Sequence, residues 1–113
     1  MCGFDTRRTR NFTHYCIVRR DLPLGVIGAQ LIHAAGESSP GDIPEGTFAI
    51  CLGARDEDQL LELEHRLIAA GIKHTAIREP DAPYNGALMA VGIEPVEDRS
   101  VLRPITGNLP LLR

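Results

Sequence analysis

Residues 15–39 read YCIVRRDLPLGVIGAQLIHAAGESS, and this stretch decides the fold. Tyr15-Cys16-Ile17-Val18 is a continuous apolar run of the kind found in a strand buried on both faces. It ends in Arg19-Arg20-Asp21. Leu24, Ile27, Leu31, Ala34 and Ala35 then recur at helical spacing, and Pro23 suits a first helical turn, so the periodicity predicts a helix over 24–36. Strand, charged turn and helix in that order collect polar groups at the carboxyl end of a strand, where open α/β sheets usually bind ligands.

Working outward, the same alternation continues. Thr47–Leu52 reads as a second strand. Asp56 with Gln59 has capping-box spacing, and Leu60, Leu63, Leu67, Leu61 and Ile68 form the apolar face of a second helix that stops at Gly71. His74–Ile77 and Ala87–Ile93 read as third and fourth strands, joined by the loop 78–86. Beyond Pro95 the pattern supports one helical turn around 96–103, stopped at Pro104. The expected architecture is a single α/β domain with a mixed four-stranded sheet, three strands parallel and the fourth antiparallel, and with helices packed on it. Residues 1–12 are expected to form a flexible basic segment, and 13–113 the domain.

Composition agrees with one ordinary globular domain: 113 residues, 43% hydrophobic and 24% charged. The three cysteines show no CxxC or Cys/His spacing, so neither a disulfide framework nor a zinc site is expected. Cys16 and Cys51 lie in apolar runs and read as small core residues. No segment is apolar enough to cross a membrane, no signal peptide is evident, and the expected location is cytoplasmic. The net charge of −3 does not announce a nucleic-acid binder, yet Arg7, Arg8, Arg10, Arg19 and Arg20 all fall in the first 20 residues. GxGxxG, P-loop, GxSxG and HExxH are missing, and His14, His33, His65 and His74 lack metal-ligand spacing. No cofactor or metal is expected.

Val18-Arg19-Arg20-Asp21-Leu22, the Gly-containing turn and Ala29-Gln30-Leu31-Ile32-His33-Ala34-Ala35 together resemble the opening strand, loop and helix of the type-2 peptidyl-tRNA hydrolases. Later blocks follow the same order. Arg55–Leu60 is similar to the start of that family's second helix, Asp81-Ala82 to its acidic loop, Val91–Pro95 to its closing strand, and Thr106–Leu109 to its C-terminal end. The chain departs from the family at its first loop, which is lysine-rich there and lysine-free here, since the one lysine is Lys73. It also has Ala87-Leu88-Met89 where the family tends to carry a threonine.

The resemblance implies the peptidyl-tRNA hydrolase fold and hydrolysis of the ester joining a peptide to tRNA, with peptidyl-tRNA as partner. Carried over by position, Asp81, His33 and Gln30 are the candidate catalytic residues. Arg19, Arg20, Asp21, Tyr84 and Asn85 are the candidate substrate contacts. Such chemistry needs a water positioned by a base, donors for the developing oxyanion and cationic groups for phosphates. Each residue also admits a plainer role. Pro80-Asp81-Ala82-Pro83 is an ordinary turn sequence, and Asp21 can simply pair with an arginine. Gln30 can cap a loop, His33 can be structural, and Tyr84 with Asn85-Gly86 can serve simply to shape a turn. Two rivals therefore stand beside hydrolysis of peptidyl-tRNA: a catalytically silent RNA- or protein-binding module, and a hydrolase of another small ester or amide. A homodimer is left open.

Overall fold

The structure is a computed structural model that describes residues 12–113; the expected basic segment lies almost wholly outside them. Four strands are joined by helices: β1 (Thr13–Arg19), α1 (Leu24–Glu37), β2 (Phe48–Ala54), α2 (Glu57–Ala69), β3 (His74–Glu79) and β4 (Ala87–Val96). A 3₁₀ turn at Arg99–Val101 and a short helix, α3 (Arg103–Thr106), follow. The expected α/β class and the mixed four-stranded sheet are both present.

The sheet order is β2-β1-β4-β3. β1 pairs with β2 in parallel, whereas β4 pairs antiparallel with both β1 and β3. The expectation of three parallel strands is corrected here: β1, β2 and β3 share a direction, but β4 lies between β1 and β3. Among the described residues β1 and β2 are therefore the one parallel pair of neighbours. The reason is connection length. β3 reaches β4 through a short loop, which permits antiparallel pairing only, and β4 fills the slot a further crossover strand would have taken.

The strand alternation divides the core between two faces. Tyr15, Ile17, Leu52, Leu88, Val91 and Ile93 pack against Leu60, Leu63 and Leu67 of α2 and against Leu102 and Ile105. On the other face Cys16, Val18, Ile77, Met89 and Ala90 meet Leu22, Ile27 and Ala34 from the α1 side. Met89 is the extra residue of a β-bulge, since Ile77 pairs with Ala90 and Arg78 with Leu88.

Local signals explain the elements. The Asp56 carboxylate accepts the Gln59 N–H at 3.0 Å, and the Gln59 side chain reaches back to accept from Arg55 N–H at 2.6 Å. Beyond α2 the chain reverses at Gly71, whose φ of 70° lies in the left-handed region. In α1 the buried stripe is Ile27, Gln30 and Ala34, with Leu31 and Ala35 half-buried. Leu24, expected on the apolar face, is 84% exposed, since the buried stripe of the helix begins at Ile27. Pro104 does not stop a helix; it sits in the first turn of α3, where its missing N–H costs nothing.

Candidate functional site at the carboxyl end of β1

Arg19 is the last residue of β1 and its guanidinium grips Asp21, with Nε 2.9 Å from Oδ1 and Nη2 3.0 Å from Oδ2. Nη1 donates to the Leu88 carbonyl at 3.2 Å, while the Leu88 N–H donates to the Glu57 carboxylate at 2.8 Å. Side chains thus hold both sides of Leu88, next to the bulge at Met89. The fork to Arg19 holds the Asp21 carboxyl below its ordinary range, and the same bonds raise Arg19, with Glu57 and Tyr84 adding to the attraction. Much of the positive charge of Arg19 is therefore answered within the chain.

Gln30 is the buried polar residue of α1, 4% exposed. An amide in that position needs a partner. Its Nε2 donates to Glu79 Oε1 at 3.3 Å, and Glu79 Oε2 accepts the Asp81 backbone N–H at 3.3 Å. One carboxylate at the end of β3 thus ties the α1 helix to the acidic loop. Gln30, His33 and Glu37 share with residues 76–80 an open groove of about 460 Å³.

The loop after Glu79 is closed by its own backbone. The Asp81 carbonyl accepts from Tyr84 N–H at 3.0 Å and Asn85 N–H at 3.1 Å, and the Glu79 carbonyl accepts from Gly86 N–H at 2.6 Å. The Ala82-Pro83 bond is cis, and Asn85 takes a φ of 48° ahead of Gly86 at 91°. Asn85 suits that left-handed position, and its side-chain amide donates to the Pro83 carbonyl at 3.3 Å. Asn85 accordingly serves the turn. Tyr84 is half-buried against the α1 side of the core. The Asp81 side chain is exposed, and among the described residues its carboxylate accepts no hydrogen bond.

The remaining candidates are placed less centrally. His33 lies one turn beyond Gln30 on the rim of the groove, 59% exposed, with Nδ1 3.5 Å from Glu37 Oε2. Arg20 lies at the β1–β2 seam, its N–H bonded to the Ala54 carbonyl at 2.8 Å. Its methylene stem crosses Gly53 so closely that a Cβ there would come within 2.5 Å of Arg20 Cδ. β4 separates β1 from β3 by two strand spacings, roughly 10 Å, so Arg20 and Asp81 stand on opposite sides of the end of the sheet. Of the two carboxylates that organise this end, Glu57 was not among the residues read from sequence as facing this crevice, and Glu79 was expected there only as part of its wall, with no partner assigned. The signal for Glu79 was indirect: Gln30 falls on the buried stripe of its helix and needs an acceptor.

Among the described residues no three His, Cys, Asp or Glu side chains are grouped to hold a metal ion, and no helix is long and apolar enough to cross a membrane. No protein-family profile matches the chain. No curated protein matches it either. Among solved structures, the protein of unknown function Atu0240 from Agrobacterium tumefaciens strain C58 is similar, with a TM-score of 0.59 and 14% sequence identity. The match covers 90% of this chain and 98% of that one, and at this identity it is a likeness of fold.

Proposed function

We propose that the domain hydrolyses the ester of a peptidyl-tRNA, using the end of the sheet where α1 meets the loop after β3, on the fold of the type-2 peptidyl-tRNA hydrolases that its sequence resembles. The observation that carries this reading is the Gln30–Glu79–Asp81 linkage. In it Glu79 fixes both neighbours, and the Asp81 carboxylate remains available to orient a water. Gln30 has a second amide hydrogen beyond the one given to Glu79, and we assign that hydrogen to the substrate carbonyl. Arg20, whose guanidinium has no carboxylate partner among the described residues, is assigned to tRNA phosphate.

One observation favours the rival reading of a catalytically silent binding module. Arg19 is neutralised by Asp21 and His33 turns outward to Glu37, so neither supplies a free cation or base beside Asp81. Incubating the purified chain with peptidyl-tRNA and, separately, with an activated aryl ester separates the readings. Release of peptide from tRNA supports the proposal. Saturable tRNA binding without release supports the silent module, and cleavage of the aryl ester alone supports a hydrolase of another ester.

A further inference from the structure

On the α2 side of the sheet, toward the start of β1, a cavity of about 240 Å³ lies between β2, the C-terminal segment and α3. Its apolar wall is Ile50, Leu52, Leu109 and Leu111, and its polar groups are Tyr15, Arg99 and Arg103. Tyr15 precedes Arg19 by four residues, so this cavity is about 13 Å along the strand from the site described above.

The polar chemistry of the cavity is one-sided. Arg99 Nε donates to the Tyr15 hydroxyl at 2.9 Å, and the guanidinium carbon sits 5.9 Å from the centre of the Tyr15 ring. The hydroxyl accepts from Arg99 and so keeps its own hydrogen to give. The other polar groups of the wall are already used: Thr106 Oγ1 donates to the Leu102 carbonyl at 3.2 Å and Gly107 N–H to the Arg103 carbonyl at 3.0 Å. Among the described residues no acidic side chain lines the cavity. Asp98, which attracts Arg103, has its carboxylate bonded to the Ser100 N–H at 3.0 Å and hydroxyl at 2.6 Å. What remains is a set of donors, two of them guanidinium groups, beside an apolar wall whose Leu111 is 63% exposed.

We propose that this cavity binds a small carboxylate with an apolar body. Guanidinium forks match a carboxylate in shape and charge, and covering Leu111 and its neighbours favours a hydrocarbon tail. The volume is below the roughly 300 Å³ at which pockets for drug-sized ligands begin, which suits a ligand of a few carbons.

The test is an NMR titration of the full chain with hexanoate, hexylamine, hexanol and inorganic phosphate. Hexanoate is expected to shift the amides of Thr106, Gly107 and Leu109 saturably, and the other three probes to do so at least about tenfold more weakly. Arg103→Gln and Leu111→Asp, both at exposed positions, should each weaken hexanoate by about tenfold or more while leaving the rest of the spectrum folded. Arg99→Gln should do the same, and Arg78→Gln, on the β3 edge, should change nothing. Equal binding of hexylamine or hexanol, no saturable shift with hexanoate, or unchanged affinity in the Arg103 and Leu111 variants would overturn the proposal. Phosphate binding as tightly as hexanoate would overturn it too, because the apolar wall would then have no role.

Discussion

Gln30 and Asp81 set the terms at the residue scale, because one is buried and must be bonded while the other is exposed and free to act. Asp81→Asn keeps the backbone bonds of the loop, so its effect should fall on chemistry. In a peptidyl-tRNA cleavage assay, single-turnover rate should drop by roughly 10²- to 10⁴-fold with little change in substrate affinity. His33→Ala should cost far less, since that ring is 59% exposed and paired with Glu37.

His14 supports a separate prediction. It is buried, with Nε2 2.7 Å from Ser38 Oγ, and Ser38 spends its own hydrogen on the Ala34 carbonyl at 2.6 Å. Ser38 can then only accept, which makes His14 Nε2 the donor in a neutral ring. Burial lowers the His14 pKa below its ordinary value. Between the folded value and about 6.5 the unfolded chain binds more protons, so stability should fall as pH drops through that window and be level above it. Denaturation midpoints at about pH 7.5 and about pH 5.5 should differ more for the wild type than for His14→Gln.

At the scale of elements, α2 gives the sharpest packing prediction. Leu63 is 5% exposed in the core and Glu62 lies outward in solvent. Leu63→Ala should destabilise by about 2 to 5 kcal/mol and Glu62→Ala by almost nothing, read from denaturation midpoints. Equal effects would mean that the buried face is misassigned. α2 was legible because cap, period and terminating glycine agree at Asp56, Leu60–Leu67 and Gly71, but its apolar face was read too broadly: Leu61 and Ile68 flank the buried stripe of Leu60, Leu63 and Leu67 and are 38% and 61% exposed. α1 was legible as a helix but misread at Leu24, since periodicity shows which residues share a stripe and not where its burial begins. β4 was expected to end at Ile93 and runs to Val96, because Pro95 falls in the register shift between the Tyr15–Ile93 and Thr13–Val96 pairs, where its missing N–H needs no ladder partner. Its position between β1 and β3 had no local signal, since strand order depends on long-range pairing. The site was half legible for the same reason: Gln30 and Asp81 stand out in the chain, whereas their link through Glu79 exists only after β3 is placed beside α1.

For the whole molecule, charge decides how tRNA would be met. The chain carries −3 overall, so any attraction to phosphate must come from local arginines such as Arg20. tRNA affinity should fall steeply between low and moderate salt, and Arg20→Ala should reduce the slope of log affinity against log salt by roughly one contact. Arg7, Arg8 and Arg10, expected to add to this field, lie outside the described residues. The most direct measurement is release of peptide from purified peptidyl-tRNA by the wild-type chain and by Asp81→Asn under single-turnover conditions. The wild type is expected to release peptide, and Asp81→Asn to abolish that release or reduce it at least about a hundredfold. No release by the wild type, or equal release by both proteins, would contradict the proposed function.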